Sequence, residues 1–136
     1  MQDYRKLVVW QRAHRFVLSA YRTLPSFPSA EKYALTSQLR RALVSVPTNL
    51  VEGRSRHSAP SFAAFIDVAG SSAAEVEYLL LLSRDLGYLE EERHAPLATD
   101  IDEIRRMLGA LHSQVATHAN ERRNRRAVPP SLDANS

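Results

Sequence analysis

The fold is decided by the stretch Leu35-Thr-Ser-Gln-Leu-Arg-Arg-Ala-Leu-Val-Ser-Val-Pro-Thr-Asn-Leu-Val-Glu-Gly53, which is followed by Arg-Ser-Arg56. Its apolar residues recur at three- and four-residue steps, which is the spacing of one face of an α-helix. They are Leu35, Leu39, Ala42, Val46 and Leu50. Pro47 interrupts the backbone hydrogen bonding, but the apolar phase continues beyond it. The stretch therefore predicts a single helix, from about Ala30 to Glu52, that is kinked near Pro47.

The rest of the chain carries three further helical patterns. The first helix is predicted from Leu7 to Leu24, the third from Ser58 to about Leu86, and the fourth from just before Pro96 to near Asn120. Pro25 ends the first helix because it cannot donate a backbone hydrogen bond, and Gly87 suits the end of the third. Four amphipathic helices with short connections predict an all-α, antiparallel up-down-up-down four-helix bundle.

Four consecutive leucines, Leu79 to Leu82, lie in the third helical pattern. At about 100° per residue they cover most of the helix circumference, so one neighbouring helix cannot bury them all. The third helix therefore either lies centrally in its own bundle or also packs against another subunit.

The length and composition fit one domain followed by a tail. The chain has 136 residues, of which 44% are hydrophobic, enough for one core. Apolar periodicity stops at Asn120, so we assign residues 1–120 to the bundle and residues 121–136 to a basic, disordered C-terminal tail. We expect a cytoplasmic protein, because the sequence has neither a signal peptide nor a run near the roughly 20 apolar residues of a membrane span.

The sequence carries no pattern typical of a cofactor or a catalytic site. Without cysteine, disulfides and thiolate metal sites are excluded. The five histidines are scattered, and no two stand three or four residues apart, so we expect no metal site. A nucleophile elbow and a glycine-rich phosphate loop are both missing. We therefore expect no cofactor and no enzymatic activity.

Several motifs, taken in order along the chain, resemble those of one bacterial protein family. They are Leu7 to Ala13; Phe27-Pro28 with Glu31 and Tyr33; Leu35 to Ala42 with Ser45, Pro47, Asn49, Glu52 and Gly53; Phe62, Phe65, Ala69-Gly70-Ser71 and Glu75; and Asp85 to Tyr88. Over about residues 4–119 the chain resembles the four-helix-bundle proteins encoded in intervening sequences of the 23S rRNA gene. The resemblance implies a homopentamer around a central channel and brings no enzymatic residues.

The chain is also similar to the accessory proteins of diversity-generating retroelements, which share this fold and bind nucleic acid with a reverse transcriptase. Two functions therefore stay open. One is a homo-oligomer that binds RNA or another nucleic acid electrostatically. The other is a protein-interaction scaffold, or an accessory subunit of a nucleic-acid enzyme such as a reverse transcriptase. The formal net charge of +3 is compatible with an anionic partner, although a GC-rich genome also favours arginine.

A polar ridge beside the apolar line of the second helix is the first candidate site. It consists of Gln38, Arg40, Arg41, Asn49, Glu52 and Arg56. Its arginines either contact RNA phosphates or pair with Glu75 or Glu77 of the third helix or across a subunit interface. Because carboxylates are available to neutralise them, we favour pairing.

The arginines of the tail are the second candidate site. They are Arg122, Arg123, Arg125 and Arg126. A basic, flexible end can contact any polyanion without sequence specificity. The same arginines would also serve simply to keep the terminus solvated and the protein soluble.

Overall fold

The computed structural model describes residues 3–127, and in this range all regular structure is helical. The four α-helices are α1 (Val8–Tyr21), α2 (Leu35–Arg54), α3 (Ala59–Asp85) and α4 (Glu91–Ala127). Short 3-10 helices precede α1 at Tyr4–Lys6 and lie between α1 and α2 at Leu24–Ser26 and Ser29–Glu31. The helix α3 packs against α2 and α4, and α1 packs against the same two helices. The predicted all-α four-helix bundle is confirmed.

Two contacts between α2 and α3 show that these helices run in opposite directions. Gly53, near the end of α2, lies against Phe65, near the start of α3. In the middle of both helices, the hydroxyls of Ser45 and Ser72 share a hydrogen bond of 2.7 Å. Residue numbers thus fall along one helix as they rise along the other, as expected of antiparallel neighbours.

The helices α1 and α4 also run in opposite directions and are joined by side-chain hydrogen bonds. Arg12 of α1 donates to both carboxylate oxygens of Glu103 in α4, at 3.0 and 2.9 Å. Arg93, near the start of α4, donates to the carbonyl of Arg22, just after the end of α1, at 3.2 Å. The hydrogen bond from Arg12 lowers the pKa of Glu103 below its ordinary value, and the same bond raises the pKa of Arg12.

The core forms where the predicted apolar faces meet. Leu39 and Leu50 of α2 and Ile101 and Ile104 of α4 are fully buried. Burial of each such side chain stabilises the fold by about 2 kcal/mol relative to exposure. These residues come from the periodic positions of the sequence, so the core follows directly from the helical pattern.

The leucine run of α3 is covered mainly within the chain. Leu79 and Leu80 are buried and Leu82 is half-buried, whereas Leu81 is 38% exposed. The position of α3 between α2 and α4 accounts for this burial. Only one edge of the run is left for a contact with another molecule.

The helix α2 is continuous across Pro47, which is buried. It begins later than predicted, because residues Ser29–Glu31 form a separate 3-10 turn. The carboxylate of Glu31 then accepts a hydrogen bond from the backbone N–H of Leu35 at 3.3 Å. This side chain satisfies one of the N–H groups that the first turn of a helix leaves without a partner.

The two ends of α3 are stopped by the residues that the sequence indicated. The hydroxyl of Ser58 accepts a hydrogen bond from the backbone N–H of Ser61 at 3.2 Å, as an N-cap does. At the other end, Gly87 has a φ of +81°. The N–H of Tyr88 donates to the carbonyl of Ser83 at 2.9 Å, which completes a Schellman motif.

The helix α4 is longer than predicted at both ends. It begins at Glu91, five residues before Pro96, and continues to Ala127 rather than ending near Asn120. Pro96 is tolerated because the carbonyl that it leaves unbonded belongs to Glu92, which is exposed and open to water. Residues 121–127 are helical rather than disordered, because Glu, Arg and Ala are strong helix formers. The rest of the predicted tail, residues 128–136, lies outside the described residues.

Candidate nucleic-acid interface

The six residues of the predicted ridge do not form one strip. Arg40 lies about 160° around the helix axis from Gln38, and Arg56 follows the end of α2. The other four residues, Gln38, Arg41, Asn49 and Glu52, lie on one side of the helix. Of the six, Asn49 is half-buried and the others are exposed.

Asn49 is engaged in helix packing. Its side-chain amide donates to the carbonyl of Ser45 at 2.7 Å and to the hydroxyl of Ser45 at 3.0 Å. That hydroxyl also bonds to Ser72 of α3. The three side chains form a small polar network that joins α2 to α3, so Asn49 stabilises the bundle.

Within the described residues, the ridge arginines do not make the expected pairs with α3. Across residues 3–127, Arg40 and Arg41 have no carboxylate within 4 Å. Glu77 instead pairs with Arg105 of α4 at 2.6 Å. The ridge is therefore a dispersed set of polar residues, exposed except for Asn49, rather than a compact site.

A denser basic group meets at one end of the bundle. There the last turns of α4 lie beside the connection from α2 to α3, and an open cleft of about 430 Å³ separates them. We call it the basic cleft. Its polar lining comes from the last residue of α2, from the connection that follows and from α4: Arg54, Arg56, His57, Ser58, Gln114, His118 and Arg122.

Two further depressions share Arg122 with the basic cleft and bring in Arg123, Arg125 and Arg126. We call the cleft and these exposed arginines together the basic end. Segments 52–58 and 114–127 contain six arginines and only two carboxylates, Glu52 and Glu121. The basic end thus has four more formal positive than negative charges, which exceeds the +3 of the whole chain.

Two phenylalanines of α3 support Arg54, at the end of α2, and Arg56, in the connection. The guanidinium carbon of Arg54 lies 5.4 Å from the centre of the Phe62 ring, and that of Arg56 lies 4.9 Å from the Phe65 ring. Such cation–π contacts hold the guanidinium groups against the aromatic faces. Gly53 makes this approach possible, because a Cβ there would be 2.8 Å from Phe65 Cβ and 2.9 Å from Phe62 Cδ1.

The sequence alone did not predict this combination. It placed Arg56 in the ridge and the arginines of α4 in a separate tail. It did not single out Arg54, His57, Gln114 and His118 as site residues. The available signal was the basic segment after Gly53, together with phenylalanines at a three-residue spacing beyond it. The two sets meet because α4 is antiparallel to α3 and continues past Asn120.

The described part of the chain offers no arrangement for a metal ion. Between residues 3 and 127, no three histidine, aspartate or glutamate side chains converge on one point. In the same range no helix combines the length and the apolarity needed to cross a membrane. The chemistry available at the basic end is the binding of anions by guanidinium groups.

Comparisons with known proteins agree with the fold. The family described as 23S rRNA-intervening sequence protein matches residues 5–110. A solved structure of a protein with unknown function, from the S23 ribosomal protein family of Bacteroides thetaiotaomicron VPI-5482, has a TM-score of 0.72 and 22% identity. The alignment covers 78% of this chain and 96% of that chain. At this identity the likeness concerns the fold alone. No curated protein matches.

Proposed function

The chain belongs to the family of 23S rRNA-intervening sequence proteins, and we propose that it is a non-catalytic homo-oligomer that binds RNA, or another nucleic acid, through its basic end. The observation that carries this proposal is the gathering of six arginines from two separate segments at one end of the bundle, where Arg54, Arg56 and Arg122 line one cleft and the other three lie around the same turns of α4. Guanidinium groups match phosphate oxygens in geometry and charge. Neutralisation of backbone phosphates and release of their counterions supply most of the affinity in binding without sequence preference.

The arginines of the basic end are available for such contacts. None of the six has a carboxylate within 4 Å among residues 3–127. The arginines that do have carboxylate partners all lie elsewhere: Arg5, Arg12, Arg84, Arg105 and Arg106. Unpaired like charges held close together repel each other, and a bound polyanion relieves that repulsion.

The outer face of α3 supports the proposed self-association. Val68 is 48% exposed and Tyr78 is 59% exposed, and Leu86, just beyond the helix, is 49% exposed. The first two lie within about 80° of each other around the helix axis. Exposed apolar side chains along one side of a helix can be covered by a neighbouring molecule. A pentamer is the assembly that the family resemblance implies.

The same apolar face favours a second candidate function, a protein-interaction scaffold or an accessory subunit of a nucleic-acid enzyme such as a reverse transcriptase. In that case a different protein, rather than a second copy of the chain, covers Tyr78 and its neighbours. The basic end would then contact the nucleic acid on which the partner acts.

Native mass spectrometry of the full-length protein, with and without an unstructured RNA of about 20 nucleotides, tests both parts of the proposal. We expect a homo-oligomer that retains RNA at low salt and loses it as the salt concentration rises. A monomer without RNA would overturn both parts. An oligomer that never retains RNA would remove the nucleic-acid part and favour the scaffold.

A further inference from the structure

Arg54 differs from the other half-buried arginines of the described residues. There are three of them, Arg12, Arg54 and Arg84. Arg12 pairs with Glu103 at 2.9 Å, and Arg84 pairs with Asp85 at 3.1 Å. Among residues 3–127, Arg54 has the Phe62 ring against it but no carboxylate within 4 Å, and its Nε is buried without a hydrogen-bond acceptor. This side chain has lost part of its hydration and has gained no counter-charge from the residues described.

A half-buried cation without a counter-charge is a favourable place for an anion from outside the protein. Removing a guanidinium group from water is unfavourable unless an anion or an acceptor replaces the lost hydration. The ring of Phe62 compensates only in part. Arg54 lines the basic cleft, with Arg56 beside it and Arg122 on the facing helix. An anionic group in the cleft would lie close to all three.

The remaining lining of the basic cleft suits more than a bare phosphate. Phe62 and Val115 give it an apolar part, and Gln114 supplies an amide that can both donate and accept. Gln114 has no hydrogen-bond partner within the described range. A volume of about 430 Å³ lies within the usual size of a small-molecule pocket. Such a lining can take a nucleotide unit, with its phosphate near the arginines and its base near Phe62 and Gln114.

Building on the proposed nucleic-acid binding, we propose that the basic cleft is a phosphate subsite selective for single-stranded nucleic acid. A flexible single strand can bend a phosphate and an unpaired base into a recess between two protein segments. A duplex holds its phosphates on a stiff cylinder and its bases in pairs. It therefore contacts mainly the exposed arginines of α4 that lie outside the cleft, which are Arg123, Arg125 and Arg126.

The test compares Arg54→Gln with Arg125→Gln, which removes the same charge from the exposed part of the basic end. Fluorescence anisotropy would measure binding of an unstructured 20-nucleotide RNA and of its duplex with a complementary strand, at one low salt concentration. Arg54→Gln should weaken single-strand binding by about tenfold or more, the usual effect of losing a charge-assisted hydrogen bond. Duplex binding should change by less than about twofold. Arg125→Gln should weaken both by a similar small factor.

An equal loss of single-strand and duplex binding in Arg54→Gln would overturn the subsite but not the proposed function. Failure of the unaltered protein to bind either RNA would overturn the proposed function itself. Circular dichroism confirms that each variant is folded.

A second measurement needs no variant. Nuclear magnetic resonance of the unaltered protein should show the side-chain amide signals of Gln114 shifting with the single strand but not with the duplex. Inorganic phosphate and a nucleoside monophosphate, added at the same phosphate concentration, separate a strand site from a site for small anions. With either small molecule, we expect the Gln114 signals to shift much less than they do with the single strand. A shift as large with either small molecule would overturn the assignment to a strand.

Discussion

Individual arginines in this protein have different roles depending on whether a carboxylate faces them. Arg12 has two close carboxylate oxygens on Glu103 and joins α1 to α4. Arg54 has an aromatic ring instead, and its charge is directed to a cleft. The sequence could not separate these roles, since each depends on the helix that the arginine meets across the bundle. The sequence gives the type and helical position of each arginine, but it does not show which side chain of another helix lies against it.

The Arg12–Glu103 pair makes a prediction about pH. Because Arg12 lowers the pKa of Glu103 from its ordinary 4.5, the ionised carboxylate stabilises the fold above that value. This stabilisation is lost as the pH falls through the lowered pKa of the folded state. Glu103→Gln should therefore reduce the melting temperature at neutral pH, and the difference should shrink in acid.

Thermal unfolding followed by circular dichroism from about pH 7 to pH 3 would measure this effect. Asp102→Asn is the matched control, because Asp102 makes an exposed pair within α4 to Arg106. Such exposed helical pairs contribute little. A deficit in Glu103→Gln that stays constant down to pH 3 would contradict the electrostatic account.

At the scale of the helices, the apolar pattern was sufficient to predict the number of α-helices and most of the core residues. The steps of three and four residues place Leu39, Leu50, Ile101 and Ile104 on buried faces because the helix repeats every 3.6 residues. The extension of α4 was missed because its last turns are polar. Helix propensity, rather than burial, maintains them. The basic end depends on that extension, so the candidate site could not be assembled from the pattern alone.

At the junction of α2 and α3, replacing a helical glycine by alanine should have the opposite of its usual effect on stability. Replacement of glycine by alanine within a helix normally stabilises it by about 0.5–1 kcal/mol. Gly53→Ala should instead destabilise the protein by about 1–3 kcal/mol, because the added Cβ would meet Phe62 and Phe65 at 2.9 and 2.8 Å.

Gly109→Ala, within α4, is the matched control for that prediction. An added Cβ there meets nothing within 4 Å, so the usual stabilisation should appear. Chemical denaturation of the two variants would measure both changes in the free energy of unfolding. A Gly53→Ala variant at least as stable as the unaltered protein would show that the close approach of α2 to the aromatic pair is not required.

At the scale of the whole molecule, the positive charge is concentrated at one end. The basic end has four more positive than negative formal charges, so the rest of the chain is slightly acidic against a total of +3. The family match stops at residue 110, before any of the arginines from Arg122 to Arg126. The family match covers most of the bundle but not this charged extension. The extension supplies Arg122, which faces Arg54 and Arg56 across the cleft.

The salt dependence of RNA binding tests the role of the basic end most directly. A variant with glutamine at Arg122, Arg123, Arg125 and Arg126 would be compared with one carrying glutamine at four exposed arginines elsewhere, Arg15, Arg22, Arg93 and Arg106. Both lose the same charge. If all four arginines of the extension contact phosphates, the slope of log affinity against log salt should become shallower by up to about 3 in the first variant. It should change little in the second. Equal slopes in the two variants would contradict binding through the basic end.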